Sequence, residues 1–525
     1  MADEADPNAP DKNKNYWSAF GEWYFVGYGE GCAPLEAWSA KNPIFVIAQV
    51  YLNGVSAGEA YLSEVGSQVY AVGTNGYDIT EDVKSRLAAR GDQMITNQDI
   101  PVPTWFVNYD AADHSLQYWK TANDCSPSGT QNADYGTVYV QAGDSDAWQT
   151  QYAGPISKVA VDSRQSLSGR EIHDFLTCYT RYDNTSAYGN ALMLRGDYTD
   201  VIVNAHKSPD RYAEQKVTMP DGATATMICT IVDIEGEPRE ILFYIPDNAS
   251  ELQPDGAPVI TAWAGGSQTN IIFFDSTCWW ETANQNGIAL IFTNEAYNTS
   301  VAVTPADVDA CYHAMLDLLE GWNDSGKFQF DLSRIYSTGQ SMGSMESQQF
   351  AQETPDYYAA VASTSFYQDY PDAHSDKPIP TYLINGEGNG KDDTGTPYDD
   401  RWNRTDDWAQ YFLRVNGFVY TPAVYAADGT VTTFGVPVSE PVFTVTGPYD
   451  RFETYTWING QDIPLVQYTN SLYRPHNCLT SEIPMLWDFL EHYRCERDED
   501  GAVTARYYSA SAFERDDQVL IQFGA

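Results

Sequence analysis

One pentapeptide constrains this chain more than any other stretch: Gly339-Gln340-Ser341-Met342-Gly343. The residues before it, Ser333-Arg334-Ile335-Tyr336-Ser337-Thr338, are rich in β-branched and aromatic side chains and predict a strand. Those after it, Ser344 to Gln352, contain neither Gly nor Pro and predict a helix. A strand that turns at once into a helix through G-x-S-x-G exposes the serine hydroxyl at the bend. Two glycines without Cβ atoms let strand and helix approach closely. Ser341 is therefore the candidate nucleophile. The N–H of Met342, at the helix start, is a candidate donor to a developing oxyanion.

The chain has 525 residues, which favours two domains or one with large insertions. Asp and Glu total 73 against 29 Lys and Arg, a formal charge of -44 spread along the sequence. Such a field disfavours nucleic acid and anionic membrane partners. No apolar run reaches the roughly 20 residues that span a bilayer. Residues 1–15 are polar, lack a hydrophobic signal core and are expected to be disordered. The protein is then either cytosolic or a secreted one whose signal has been removed. Eight cysteines, none in C-x-x-C spacing, favour a secreted or cell-surface protein with disulfides over a zinc site. The expected pairs are Cys278 with Cys311 and Cys478 with Cys495, with Cys32, Cys125, Cys178 and Cys229 pairing elsewhere.

From about residue 213, apolar strands alternate with helical stretches, which predicts a mostly parallel sheet with helices on both faces. The expected strands include a hairpin, Met227–Val232 with Ile241–Ile245, then Pro258–Trp263, Ile288–Thr293, Tyr358–Ser363, Thr381–Asn385 and Leu465–Tyr468. A helix should open at Thr304-Pro305, and a last one should run from Glu482 to about Tyr493. Residues 416–463, rich in Val, Thr and Tyr, read as an insertion. Residues 16–212 read as a β-rich accessory domain of unknown role, with strands at Ile44–Leu52, Gln68–Val72 and Gly136–Val140 and a short helix at Thr80–Ala89.

A catalytic serine needs a base and an acid, and in this fold class they follow it in the order Ser, acid, His. Three histidines remain. His374 precedes an expected strand and His492 lies in the last helix, whereas His476 sits in a loop between the last strand and that helix. His476 is the candidate base. The acid should lie in Gly386-Glu387-Gly388-Asn389-Gly390-Lys391-Asp392-Asp393. Asp392 and Glu387 are both within reach there, with Asp392 slightly favoured and Asp369 a less common placement. The Asp392-Asp393 and Asp399-Asp400 runs are solvated loop charges or, less commonly, calcium ligands. A second oxyanion donor should come from Ala264-Gly265-Gly266-Ser267-Gln268, at Gly266 or Ser267.

On Phe243-Tyr244-Ile245-Pro246, the Gly265-Gly266 loop, Asp331 to Tyr336 leading into Gly339–Gly343, and Arg474-Pro475-His476-Asn477, residues 213–495 resemble the α/β-hydrolase superfamily. Within it they are similar to the secreted polyhydroxybutyrate-depolymerase and feruloyl-esterase group. The resemblance implies a serine carboxylic-ester hydrolase with Ser341 as nucleophile and His476 as base, acting on a polyester or on aryl or acyl esters, with no metal or cofactor. Two positions depart from the group's pattern: Asn389 stands where it usually has its Asp, and Ala264 where it often has His. The alternatives are a serine peptidase on the same fold and a binding protein that kept the fold without activity, which the Asn389 substitution favours.

Overall fold

The computed structural model describes residues 23–68, 73–74, 77–78, 96–109, 113–142, 155–181, 192–234, 236–266, 268–293, 305–367, 372, 374–386, 405–419, 424–425, 431–433, 441–447, 452–471 and 478–524. The chain divides into two compact units. The smaller covers Ser18–Gly196 with Leu479–Ser481, and the larger includes Asp197–Cys478 and Glu482–Ala525.

The smaller unit is built on strands β1 (Trp23–Tyr28), β2 (Val46–Leu52), β3 (Thr104–Val107), β4 (Thr130–Asn132), β5 (Gly136–Val140) and β6 (Lys158–Asp162). They form one sheet in the order β1-β2-β3-β6-β5-β4. The first four in that order run parallel, and β5 and β4 close the sheet antiparallel. Helices α1 (Cys32–Lys41), α2 (Glu59–Gly66), α3 (Asp113–Ala122) and α4 (Gly169–Leu176) accompany them. Adjacent residues of one strand feed different cores: Phe106 packs with Cys32, Tyr51 and Trp119, and Trp105 with Ile47, Val50 and Phe175. A parallel sheet covered on both faces explains why Val46–Leu52 is buried at every position and reads as an apolar run broken only by Gln49.

This corrects the β-rich expectation, since the unit is α/β with four parallel strands. Helix α1 carries little sequence signal because its buried face is partly polar. In α1 the buried residues are Cys32, Glu36, Ser39 and Ala40, so no apolar stripe marks the helix. Glu36 is fully buried and accepts from Ala57 N (2.6 Å), Trp119 Nε1 (2.9 Å), Tyr109 Oη (3.1 Å) and Ser115 Oγ. A buried carboxylate is tolerated when its lone pairs are filled in this way. The expected strand at Gln68–Val72 and helix at Thr80–Ala89 fall largely outside the described residues.

The larger unit opens with helix α5 (Thr199–Lys207), which packs on strands β7 (Tyr212–Thr218) and β8 (Thr224–Ile234). Its sheet continues with β9 (Glu237–Pro246), β10 (Ala257–Trp263), β11 (Ala289–Thr293), β12 (Phe330–Gly339), β13 (Ala360–Thr364), β14 (Thr381–Gly386), β15 (Val442–Thr446), β16 (Phe452–Ile458) and β17 (Pro464–Ser471). Eleven strands lie in the order β7-β8-β9-β11-β10-β12-β13-β14-β17-β16-β15. From β11 to β17 neighbours are parallel, and antiparallel hairpins extend both edges. The helices are α6 (Asn270–Thr277), α7 (Trp279–Asn286), α8 (Pro305–Ser325), α9 (Met342–Glu353), α10 (Thr405–Val415) and α11 (Ile483–Leu490).

Two expectations need correction here. The stretch read as an insertion supplies β15 and β16; β16 pairs with β17 and β15 with β16, so both continue the main sheet. The last helix ends at Leu490, not near Tyr493, because Tyr493–Arg497 pairs antiparallel with Val503–Tyr508. That hairpin is pinned by guanidinium groups. Arg506 donates to the carbonyls of Pro355, Tyr358 and Ala359, and Arg497 to those of Leu332, Asp356 and Tyr357. Full burial pulls the Arg506 guanidinium down to about 10.

The cysteines also differ from expectation, for all eight are free thiols. Several donate to backbone carbonyls instead: Cys495 to Ser333, Cys278 to Asp275, Cys32 to Leu52, Cys125 to Tyr139 and Cys178 to Asp174. Among the described residues no helix is long and apolar enough to cross a membrane.

Candidate functional site

The central strand β12 carries the pentapeptide at its carboxyl end. It is flanked by β10, which pairs Trp263 with Gly339, and by β13, which pairs Ser337 with Val361. Helix α9 begins at Met342 and packs on β10, β12 and β13. Between strand and helix stand Gln340 and Ser341, the latter at φ 57° and ψ -116°. That region is costly for any residue with a Cβ, on the order of 1–3 kcal/mol, and persists only where surroundings over-determine it. Here they do. Ser341 N donates to Thr364 O (3.2 Å), Gly343 N to Gln340 O (3.0 Å) and Met345 N to Ser341 O (3.0 Å).

The glycines are sterically required. A Cβ on Gly339 would lie 2.1 Å from Gly343 O, and one on Gly343 would lie 1.8 Å from Trp263 O. The neighbouring Gly265-Gly266 loop sits directly against the turn. A Cβ on Gly265 would meet Gln340 Oε1 at 2.5 Å, and one on Gly266 would meet Met342 Sδ at 3.0 Å. Gly265 N is already engaged by Gln268 Oε1 at 2.7 Å. Met342 opens a twelve-residue helix, so its N–H belongs to the first-turn donors and feels the positive end of the helix dipole.

Beneath the turn the inner face of α9 is polar. Ser344, Ser347, Gln348 and Gln352 are all fully buried. Ser344 Oγ donates to Phe366 O (2.7 Å) and pairs with Ser363 Oγ (2.9 Å), Gln348 Nε2 donates to Ser363 Oγ (2.6 Å), and Trp408 Nε1 to Gln348 Oε1 (3.2 Å). Ser337 Oγ pairs with Ser347 Oγ at 2.8 Å and accepts from Trp263 Nε1 at 3.1 Å. A satisfied network of this kind fixes helix against strand more specifically than apolar packing does.

One carboxylate escaped the sequence reading. Glu482, at the N-cap of α11, is fully buried, and its Oε2 accepts from Thr364 Oγ1 at 3.2 Å. Thr364 is the residue whose carbonyl receives the Ser341 N–H. In the sequence Glu482 is an ordinary helix-opening acid, and only the fold carries it to the strand end behind the serine.

The structure brings together Ser341, Met342 and Gly266. Ser267, Glu387, Asp392, His476, Asn389 and Asp369 lie outside the described residues. The other two histidines after the serine have partners of their own. His374 Nε2 meets Gln352 Oε1 at 3.1 Å and its ring lies on Tyr411. His492 Nδ1 meets Ser509 O at 2.7 Å, and burial pushes its imidazole below the usual range. Among the described residues no group of three or more His, Cys, Asp or Glu could hold a metal ion.

No protein-family model matches the chain, and no curated protein matches it. Solved structures do. An acetyl xylan esterase from Aspergillus awamori is 15% identical, covering 47% of this chain and 93% of its own with a TM-score of 0.31. An S-formylglutathione hydrolase from Agrobacterium tumefaciens is 11% identical, covering 51% and 92% with a TM-score of 0.29. A feruloyl esterase module from Clostridium thermocellum is 11% identical, covering 31% and 68% with a TM-score of 0.24.

Proposed function

We propose that the larger unit is a serine carboxylic-ester hydrolase that works through an acyl-enzyme. The observation that carries this reading is the strained Ser341 at the strand-to-helix turn, facing the Gly265-Gly266 loop. His476 would take the Ser341 proton as Oγ attacks the ester carbonyl, then return it to the leaving alkoxide. The oxyanion would be held by Met342 N–H and by the loop. Gly265 N–H is committed to Gln268, so the loop donor falls to Gly266 or Ser267. Water, activated by the same imidazole, would then release the acid. Asp392 or Glu387 would hold the imidazole, and Glu482 would position the turn through Thr364. The substrate is an ester of a polymer or of an aryl or acyl acid, and a secreted or cell-surface setting suits such substrates.

The test is treatment with a fluorophosphonate probe, peptide mapping of the adduct, and a panel of acyl-chain and aryl esters. The expected result is one adduct on Ser341 and turnover of at least one ester. An adduct elsewhere, or none, defeats the assignment; peptide cleavage without ester cleavage favours the peptidase alternative.

A further inference from the structure

The smaller unit has a crevice at the carboxyl ends of its parallel strands, of about 760 Å3, and the described residues that line it all belong to that unit. That volume is in the range of small-molecule sites, and strand carboxyl ends are where open α/β sheets take ligands. Its floor is made by residues that follow three neighbouring strands: Asn53 after β2, Asn108 after β3, and Asp162 at the end of β6. Asn53 and Asn108 are both left-handed, at φ 51° and 43°. Two adjacent strand ends in a sparsely populated conformation mark a place where geometry is held for a purpose beyond chain reversal.

The side chains form a carboxamide array. Asn108 Nδ2 donates to Asn53 Oδ1 (2.6 Å) and Gln165 Oε1 (3.1 Å), Gln165 Nε2 to Asn108 Oδ1 (3.0 Å), and Asn53 Nδ2 to Gln165 O (3.2 Å). Asn53 and Asn108 line the crevice beside Gln131 and Thr137, and Gln165 braces the two asparagines from outside the lining. Each carboxamide has two donor hydrogens and two acceptor lone pairs, and these bonds leave part of that capacity unused. What remains is donors and acceptors side by side without net charge. The one acid in the floor, Asp162, is nearly buried and neutralised by Arg164 Nε at 2.6 Å. Tyr109 forms a wall, its hydroxyl fixed by the buried Glu36 at 3.1 Å. The opposite wall is the β4–β5 hairpin, held close by Gly136, where a Cβ would lie 2.4 Å from Val161 O.

We infer that this crevice binds a neutral polyhydroxylated ligand, a short run of sugar units. Hydroxyls are donor and acceptor at once and match the uncharged amide and hydroxyl side chains of the lining, Asn53, Asn108, Gln131, Thr137 and Ser163. An anion is disfavoured by the net charge of -44. The edge strand β4 brings Gln131 to the crevice, so an extended peptide is the competing ligand, and the experiment includes one. Ester turnover by the larger unit neither requires nor reports this binding.

The experiment titrates the full chain calorimetrically with xylotriose, cellotriose and maltotriose, and with a neutral blocked tri-alanine peptide. At least one trisaccharide should bind with a Kd between about 10 µM and 1 mM, a usual span for small polar ligands. Asn108→Ala should weaken that binding at least tenfold. Gln131→Ala, on the exposed hairpin wall, should weaken it severalfold even if the Asn108 variant fails to fold. Both variants should leave aryl-ester turnover and fluorophosphonate labelling unchanged. No binding of any trisaccharide, binding indifferent to both substitutions, or binding of the peptide alone would overturn the inference.

Discussion

The two units solve the same problem with different residues. Each has a parallel sheet whose carboxyl-end turns hold non-glycine residues at positive φ, and each props those turns on buried polar side chains. In the larger unit the strained residue is Ser341, wedged between Gly339 and Gly343 and backed by serines and glutamines of α9. In the smaller unit the strained residues are Asn53 and Asn108, and the prop is Glu36 through Tyr109. Serine with a helix start behind it suits the attack on an electrophile proposed above. Asparagines that hydrogen-bond one another are built to hold, not to react. The parallel-sheet architecture is shared, so chemistry is decided by what stands at the strand ends.

The comparison breaks most sharply at the serine. Ser341→Ala should abolish fluorophosphonate labelling and lower ester turnover by about 10⁴ to 10⁶, as loss of a triad nucleophile does. Circular dichroism should be unchanged. Persistent labelling of the variant would place the nucleophile elsewhere.

The next effect belongs to the smaller unit alone. Glu36→Ala strands the N–H and O–H donors of Ala57, Trp119, Tyr109 and Ser115 in a buried site. The expected cost is roughly 3–5 kcal/mol. Hydrogen-exchange mass spectrometry should show it over Val46–Leu52 and Thr104–Val107, with ester turnover retained. Equal loss of protection in β12 would mean that the units do not differ in this respect.

A smaller effect concerns the acid. Asp392→Asn should cost at least ~100-fold in kcat with little change in thermal stability. If Glu387→Gln gives that loss instead, Glu387 is the acid. If neither matters, Glu482→Gln and then Asp369→Asn are the next variants to assay.

The smallest effect is a pH dependence of the larger unit. Burial, reinforced by Asp488 and opposed by Arg334, raises the Glu491 carboxyl to about 7 from an ordinary 4.5. The native state then holds a proton that the unfolded chain has lost between these values. Stability is fully present below pH 4.5 and declines as pH rises to about 7, by at most ~3 kcal/mol. Glu491→Gln should therefore raise the melting temperature at pH 8 and change it little at pH 5. An equal shift at both pH values would show that the carboxyl titrates normally.

Much of the larger unit was legible before any coordinates. The strand and helix flanking Ser341, expected at 333–338 and 344–352, occur as Phe330–Gly339 and Met342–Glu353. The hairpin expected at 227–232 and 241–245 occurs as Thr224–Ile234 and Glu237–Pro246. These segments signal themselves because β-branched runs and breaker residues act over a few neighbours. The smaller unit was misread for the converse reason: α1 buries Glu36 and Ser39, so its inward face carries no apolar period. The last helix was read too long because Tyr493–Arg497 gains its strand partner from Val503–Tyr508, and no local signal competes with that pairing.

The sequence by itself determined the turn that carries the proposed nucleophile, since G-x-S-x-G between a strand and a helix sets the local geometry of the serine. It also limited the base to the histidines that follow. Tertiary structure alone decided the rest of the described site. The Gly265-Gly266 loop meets Met342 because β10 and β12 are neighbours in the sheet although far apart in the chain. Glu482 reaches Thr364, and the amides of Asn53, Asn108 and Gln165 find one another, through the same kind of long-range placement. Local propensity acts over a few residues, whereas these contacts form only when separate strand ends are brought side by side by the burial of the sheet between them.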